Sequence, residues 1–230
     1  MKKTICMGVF LLLVFSIQGQ STVTKNLGDY SVLKIYNGID VELIKSNEHR
    51  LEITGEKSEM VKIKNVNNTL KLSLPFSLKP ANNYAEGEVL IKIYYKNNID
   101  VIDANEGATI TGKDFKQEKV EIKAQERAFI NLVIDSKNII VSAVSGGIVK
   151  LSGTASNQDV RVDLYGIYHG FGLKVENSSM VKAGTGAKAE ILAGKTLNAT
   201  VSFGGSIFYK GNPELIRDKK VIGGIIQKKD

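Results

Sequence analysis

The chain has 230 residues, of which 43% are hydrophobic, with 22 glycines, 3 prolines, 1 cysteine and no tryptophan. This length is ample for one sizeable core, and a single cysteine excludes a fold stabilised by internal disulfides. The formal net charge is +7. Its lysines are spread along the whole chain rather than gathered in a basic arm, so we predict no nucleic-acid partner.

The first segment, residues 1–20, has the organisation of a secretory signal peptide. Lys2 and Lys3 precede an uncharged apolar run, residues 5–17, and small and polar residues follow it. The run is too short for a comfortable membrane helix. We therefore predict export to the periplasm, the cell surface or the medium, with no stable membrane span. Cys6 lies at the start of the run rather than after it, which argues against a lipoprotein.

The next segment, residues 22–100, predicts an opening set of β-strands. Apolar and polar residues alternate there, as in residues 32–36, 70–74 and 89–94. Alternation with a period of two buries one face of a strand and exposes the other. Residues 82–87 read Asn-Asn-Tyr-Ala-Glu-Gly and predict a long connecting loop.

The following segment, residues 101–213, contains an internal repeat with a period of about 20 residues. Two short strands recur in each period. The predicted inward triplets of the first strand are Ala108/Ile110/Gly112, Ala128/Ile130/Leu132, Gly147/Val149/Leu151, His169/Phe171/Leu173, Ala187/Ala189/Ile191 and Gly205/Ile207/Tyr209. Those of the second strand are Val120/Ile122/Ala124, Ile139/Val141/Ala143, Val160/Val162/Leu164, Ser179/Val181/Ala183 and Leu197/Ala199/Val201.

This repeat predicts right-handed parallel β-helix-like coils, since parallel crossovers are right-handed and no helical segment separates the strands. An antiparallel sandwich is the alternative, because its strands also alternate. The two strand types keep separate identities through five periods, and a hairpin meander has no reason to preserve them. The predicted fold class is therefore all-β: opening strands, then coils.

Residues 30–43, the glycine-punctuated repeats and residues 204–213 resemble the bacterial secreted proteins described as "putative auto-transporter adhesin, head GIN domain". The Gly-Ile pair that names the family stands at Gly38–Ile39, and Asp40 takes the place of the expected asparagine. The resemblance covers nearly all of a single domain, residues 21–218. It implies a β-helical fold and a role at the envelope or surface, and it brings no catalytic or ligand residues. A basic tail, residues 219–230, follows as either a cap or a mobile end.

No constellation in the sequence predicts a cofactor or a metal site. The two histidines, His49 and His169, lie far apart, and the common metal, triad and phosphate-loop motifs do not occur in the sequence. We therefore predict a non-catalytic protein without cofactor, metal or catalytic residues.

A polysaccharide-active enzyme is the alternative function. Glu106 and Glu126 occupy the same position in successive copies, and a pair of carboxylates is the usual machinery of glycoside hydrolysis. A solvated surface pair is the competing interpretation, because the acidic series ends there. The next equivalent positions are Ser145, Ile167, Thr185 and Phe203.

The segment 163–171 lengthens its coil relative to its neighbours, and we predict a lateral loop there. Tyr165, Tyr168 and His169 are its candidate partner-binding residues, since such rings stack on sugars or contact proteins. A bulge whose aromatics cover core is the competing interpretation. The sequence thus predicts a binding, adhesion or scaffolding module for an envelope or surface glycan or protein. The sequence also allows homo-oligomers, because the ends of a β-helix expose unpaired strand edges.

Overall fold

The computed structural model describes residues 22–75 and 89–230, which form β-strands and one turn of 3₁₀ helix at Ser58–Met60. The predicted signal peptide and the predicted loop at residues 82–87 lie outside the described residues. The strands are β1 (Val23–Asn26), β2 (Val32–Ile35), β3 (Asp40–Lys45), β4 (Arg50–Thr54), β5 (Lys62–Val66), β6 (Thr69–Ser73), β7 (Leu90–Tyr95), β8 (Val101–Ala104), β9 (Thr109–Ala124), β10 (Phe129–Ala143), β11 (Ile148–Val162), β12 (Ile167–Ala183), β13 (Lys188–Leu192), β14 (Thr196–Ser202), β15 (Ser206–Lys210), β16 (Leu215–Val221) and β17 (Ile225–Lys228).

Most of the strands stack in parallel as a β-solenoid of about seven turns, which confirms the predicted fold class. Each long strand from β9 to β12 contributes to two faces. The first residues of β9 pair with β3, whereas its last residues pair with β8. The first face then continues through β13, β15 and β17, and the second face through β14 and β16.

The opening strands belong to the same solenoid. β2 pairs in parallel with β6 and β8, and β3 pairs in parallel with β7 and β9, so the first coil along the chain lies between two later ones. Antiparallel pairs among the described strands join β1 to β4, β4 to β7, and β5 to β6. The predicted division at residue 100 therefore corresponds to no break in the sheet.

The core consists of inward side chains stacked from coil to coil. Ile110, Ile130 and Val149 follow one another on the first face, and each is fully buried. Burial of such a side chain contributes about 1.5–3 kcal/mol. Four of the predicted first-strand triplets, those beginning at Ala108, Ala128, Gly147 and Ala187, are buried throughout.

The fourth coil departs from the predicted inward residues. Val149 pairs with Tyr168 and Lys150 with His169, so Tyr168 points into the core while His169 and Phe171 point outward. The predicted triplet His169/Phe171/Leu173 is thus wrong at its first two positions. A slip of one residue exchanges the two faces of a strand. β12 has 17 residues against 15 in β11, and it takes up the difference at two register shifts within the strand.

One corner of the solenoid is a ladder of tight turns, here called the turn ladder. Both central residues have positive φ in nearly every turn, for example Glu106 at 53° and Gly107 at 73°. Backbone hydrogen bonds join successive turns, as from Gly107 N to Glu126 O at 3.0 Å. The central pairs are Asn37–Gly38, Glu106–Gly107, Glu126–Arg127, Ser145–Gly146, Leu164–Tyr165, Thr185–Gly186, Phe203–Gly204 and Ile222–Gly223.

The predicted basic tail is the last coil of the solenoid, since β16 and β17 pair in parallel with β14 and β15. Asp218 and Lys220 align with Ala199 and Val201, two inward positions of the coil before. Charges at inward positions of an end strand disfavour the addition of another strand. A capping role for this segment stays a prediction.

Candidate binding face

The two lateral faces of the solenoid differ in chemistry. On the second face the outward side chains are mainly polar or charged, as at Lys123, Asp159 and Arg161. On the first face many are apolar or aromatic, and we call this surface the aromatic face. Its outward residues include Phe129, Val133, Ile148, Ile167, Phe171, Leu192 and Phe208, with Asn131, Lys150, His169, Lys188 and Glu190 among them.

A groove of about 520 Å³ crosses the middle of the aromatic face. Phe129 and Ile148 line one part of it, and His169 and Phe171 line another. Small residues form its floor: a Cβ added at Gly172 would lie 3.0 Å from the Cβ of Ser152. The groove falls within the range of roughly 300–1,000 Å³ that is typical of ligand sites.

A charged cluster borders this groove. Glu190 Oε2 lies 2.7 Å from His169 Nδ1, and Lys188 Nζ donates to Glu190 Oε1 at 2.9 Å. Partial burial alone would raise the pKa of Glu190, but the hydrogen bonds from Lys188 and His169 outweigh it and lower that pKa. Lys210 Nζ lies 5.4 Å from the centroid of the Phe171 ring, so positive charge surrounds the aromatic edge of the groove.

The lowered pKa of Glu190 predicts a dependence of stability on pH. The contribution of the charged carboxylate is fully present above its ordinary pKa of 4.5 and is lost as the pH falls through the folded-state value. We expect the melting temperature of the wild type to fall more steeply than that of Glu190→Gln between about pH 5 and 3. Glu214→Gln, on an exposed loop, is the matched control. If the melting temperatures of wild type and Glu190→Gln fall by equal amounts over this pH range, the prediction is wrong.

The predicted partner-binding residues lie in three different places. Tyr165 is exposed on the turn ladder, and His169 lies on the aromatic face beside Glu190. Tyr168 is fully buried, and its hydroxyl donates to Gln158 Oε1 at 3.0 Å, so it is not available to a partner. The predicted lateral loop is absent from this described segment, because residues 163–166 form an ordinary turn of the ladder. A binding role for Tyr165 and His169 stays a prediction.

Glu106 and Glu126 lie on successive rungs of the turn ladder, both exposed. The next residues in that series are Ser145 and Leu164, where the sequence predicted Ile167. Asn37 Nδ2 donates a hydrogen bond to Glu106 Oε2. Burial raises the pKa of Tyr36, and the negative charges of Asp103, Glu106 and Glu126 raise it further. The two carboxylates are therefore neighbours, and their catalytic role stays a prediction.

A second, larger groove is lined by residues of the turn ladder and of the opening strands. It measures about 1240 Å³, and Glu106, Arg127 and Lys71 line it, whereas Glu126 does not. Phe129 lines both this groove and the one on the aromatic face. Sequence reasoning missed both grooves. One feature of the sequence could have indicated the groove on the aromatic face: apolar residues recur at one outward position of three successive coils, as Phe129, Ile148 and Ile167.

The described residues contain no group of three or more His, Cys, Asp or Glu side chains that could hold a metal ion. Among those residues, no helix has the length and apolar character needed to cross a bilayer.

These features define the class of protein: a parallel β-solenoid with tight corner turns and one aromatic lateral face. The chain belongs to the family "Putative auto-transporter adhesin, head GIN domain", whose sequence profile matches residues 29–213. This confirms the family predicted from the glycine-punctuated repeats. Among curated proteins no sequence match was found.

Solved structures share the fold. A putative adhesin from Bacteroides fragilis NCTC 9343 is 19% identical with a TM-score of 0.76, over 92% of this chain and 98% of that one. A putative lipid binding protein from Parabacteroides distasonis ATCC 8503 is 19% identical with a TM-score of 0.69, over 93% and 98%. A putative adhesin from Parabacteroides merdae ATCC 43184 is 18% identical with a TM-score of 0.62, over 93% and 98%. At these identities the likeness concerns the fold.

Proposed function

We propose that this protein is an exported, non-catalytic binding module of the cell envelope, and that its aromatic face binds an acidic glycan of the envelope or cell surface. The observation that carries the proposal is the asymmetry between the two faces. Outward side chains on either face contribute little to the core, so the fold does not require one face to be aromatic and the other polar. An apolar surface rimmed by polar groups is typical of an interaction site.

The chemistry of the groove favours a sugar ligand. The rings of Phe129 and Phe171 offer apolar faces for stacking, and His169 and Glu190, which line the same groove, offer hydrogen-bonding groups. Lys150, on the groove wall, and Lys210, over the Phe171 ring, add positive charge. This excess of positive charge favours an anionic polymer over a neutral one.

The family and fold are consistent with a binding role. Two of the solved relatives are described as putative adhesins and one as a putative lipid binding protein. An exported chain with this role would act in the periplasm, at the cell surface or outside the cell, as the predicted signal peptide at residues 1–20 also indicates.

A glycan array with the exported chain tests the proposal. We expect saturable binding to acidic glycans, and we expect the double variant His169→Ala/Phe171→Ala to bind about tenfold more weakly, equivalent to about 1.4 kcal/mol. Both side chains point outward, so the variant should keep its fold. Met180→Ala, an exposed apolar residue on the second face, is the matched control. Equal binding by the double variant and the control would remove the aromatic face from the site.

The larger groove supports one alternative, a polysaccharide-active enzyme, because Glu106 lines it. An assay for released reducing sugar, run on the same glycans, separates the two functions. We expect no release. Sugar release that is lost in both Glu106→Gln and Glu126→Gln would show an enzyme and would contradict the non-catalytic proposal.

A further inference from the structure

The C-terminal half of the turn ladder carries large apolar side chains that project into solvent. Ile222 is 70% exposed, Tyr165 69%, Phe203 58% and Leu164 51%. We call these four residues the apolar ridge. They lie on a separate surface from the aromatic face, at the corner between the two faces. An exposed cluster of this kind, unlike a single exposed apolar residue, indicates an interaction.

The backbone makes these residues unexpected at their positions. Leu164, Tyr165, Phe203 and Ile222 have φ of 46°, 63°, 48° and 54°. Positive φ favours glycine, asparagine and aspartate, and a β-branched residue such as isoleucine is a genuine outlier there. Each ridge residue therefore lowers the stability of the fold for two reasons: its backbone is strained and its apolar surface is exposed.

The fold itself does not require these residues. The N-terminal half of the same ladder has the same turns, and it holds polar or small residues at the first central position. These are Asn37, Glu106, Glu126 and Ser145. Since the same positive-φ geometry accepts polar residues in four coils, the fold does not require the large exposed apolar side chains of the three ridge turns, and their exposure points to function.

The ridge is continuous along the solenoid axis. Tyr165 N donates to Thr185 O at 3.0 Å, Gly186 N to Phe203 O at 3.4 Å, and Phe203 N to Val221 O at 3.3 Å, so the rungs are consecutive. A Cβ added at Gly186 would lie 2.6 Å from the Tyr165 ring, which shows that this ring lies along the ridge over the glycine. With about 4.8 Å between rungs, the ridge is long enough for several side chains to enter an apolar phase together.

Basic side chains accompany the ridge on the second face. Arg161, Lys182 and Lys219 each precede a turn of the ladder by three residues. Arg161 and Lys182 are paired neighbours in the row of outward positions, and Thr200 lies between Lys182 and Lys219. Lys182 and Lys219 form no ion pair within the part of the chain that the structure describes. Arg161 Nη2 lies 3.8 Å from Asp163 Oδ2, and Asp163 Oδ1 also accepts hydrogen bonds from the backbone N–H groups of Leu164 and Thr185, each at 2.9 Å.

From this arrangement we propose that the apolar ridge docks this protein on the surface of an anionic phospholipid bilayer. The four ridge side chains enter the boundary between head groups and acyl chains, while the flanking arginine and lysines meet lipid phosphates. Apolar insertion combined with basic contacts is how peripheral proteins bind membranes without spanning them. The basic flank disfavours a second copy as the occupant, because two such edges repel each other.

Vesicle sedimentation with the exported chain tests the proposal. The probes are vesicles of phosphatidylcholine mixed with phosphatidylglycerol, and vesicles of phosphatidylcholine alone. We expect binding to the mixed vesicles only, weakening as salt is raised. The triple variant Leu164→Asn/Phe203→Asn/Ile222→Asn is expected to bind about tenfold or more weakly. Because asparagine accepts positive φ, the melting temperature of the triple variant should equal or exceed that of the wild type.

Two further variants separate the alternatives. Lys182→Gln/Lys219→Gln is expected to lower binding to the mixed vesicles, and Val66→Asn, an exposed apolar residue of β5, to leave it unchanged. The proposal is overturned if the wild type binds neither vesicle, or if the triple variant binds as the wild type does. If the wild type is a dimer that does not bind vesicles and the triple variant is a monomer, the ridge is instead a contact between copies of this chain, and the proposal is overturned. Glycan binding by the triple variant is expected to be normal.

Discussion

Replacement of Tyr168 by alanine is expected to lower the free energy of unfolding by about 3–5 kcal/mol, as for other large aromatic residues in a packed core. Tyr168 is fully buried, and its hydroxyl donates to Gln158 Oε1 at 3.0 Å. Gln158 Nε2 in turn donates to Ser179 Oγ at 3.0 Å, and both partners are buried. Alanine would leave a cavity and also deprive a buried amide of its donor. Chemical denaturation followed by circular dichroism measures the loss.

Two milder variants at this site separate the cavity from the hydrogen bond. Tyr168→Phe keeps most of the volume but leaves Gln158 Oε1 without its donor, so we expect a loss of about 1–3 kcal/mol. Tyr168→Phe/Gln158→Leu/Ser179→Ala removes all three members of this buried hydrogen-bonded chain and should recover part of that loss. Equal stability of wild type and Tyr168→Phe would show that the hydrogen bond contributes nothing.

The same tyrosine explains the glycine two residues later. A Cβ added at Gly170 would lie 2.5 Å from the Tyr168 ring and 2.8 Å from Glu190 O. We expect Gly170→Ala to cost less in a Tyr168→Val background than in the wild type, with a coupling energy of about 0.5–3 kcal/mol. Simple additivity of the two changes would contradict this close packing.

The second large effect is expected at Gly166, where the chain leaves a tight turn. A Cβ added there would lie 1.9 Å from Ala143 O on the adjacent coil. The backbones must separate to admit any side chain, so we expect Gly166→Ala to lower the free energy of unfolding by about 1–3 kcal/mol and Gly166→Val to lower it further. The loss of stability should stay in this range for alanine, because Ala128 and Ala187 occupy the equivalent position, directly after the turn, in other coils.

Gly28→Ala is the control for this prediction. Its added Cβ would meet only the Asn65 side chain, at the ordinary distance of 3.7 Å. Loss of conformational freedom in the unfolded chain then makes the variant neutral or slightly stabilising. Relative to the wild type, the melting temperature of Gly166→Ala should therefore fall, whereas that of Gly28→Ala should stay the same or rise slightly. A Gly166→Ala protein as stable as Gly28→Ala would contradict the explanation.

The third coil of the repeat, which contains β11, also shows where prediction from sequence failed. The inward positions of its second strand were predicted as Val160, Val162 and Leu164. In the structure Gln158 is buried in that row and Leu164 lies on an exposed turn. The prediction assumed apolar inward residues. Gln158 is tolerated because Tyr168 and Ser179 satisfy it, and only the tertiary structure brings these three residues together.

Other features followed from the sequence because they depend on local periodicity. The alternation of Ile110, Ile130 and Val149 with polar neighbours, repeated at nearly constant spacing, was enough to predict parallel stacked coils. The glycine pairs at the corners, such as Gly146–Gly147, predicted turns because positive φ and close backbone contact leave few other choices. Family membership rested on these same repeats.

What the sequence by itself determined is therefore the all-β fold, the stacked coils and most of the core. The tertiary structure decided which residues share a surface. His169 and Glu190 are neighbours only because β12 and β13 pair in parallel, and Tyr165 and Phe203 share one surface only through the rungs of the turn ladder. The physical reason is that strand pattern is local, whereas register between coils depends on bulges and buried polar contacts that no single repeat contains.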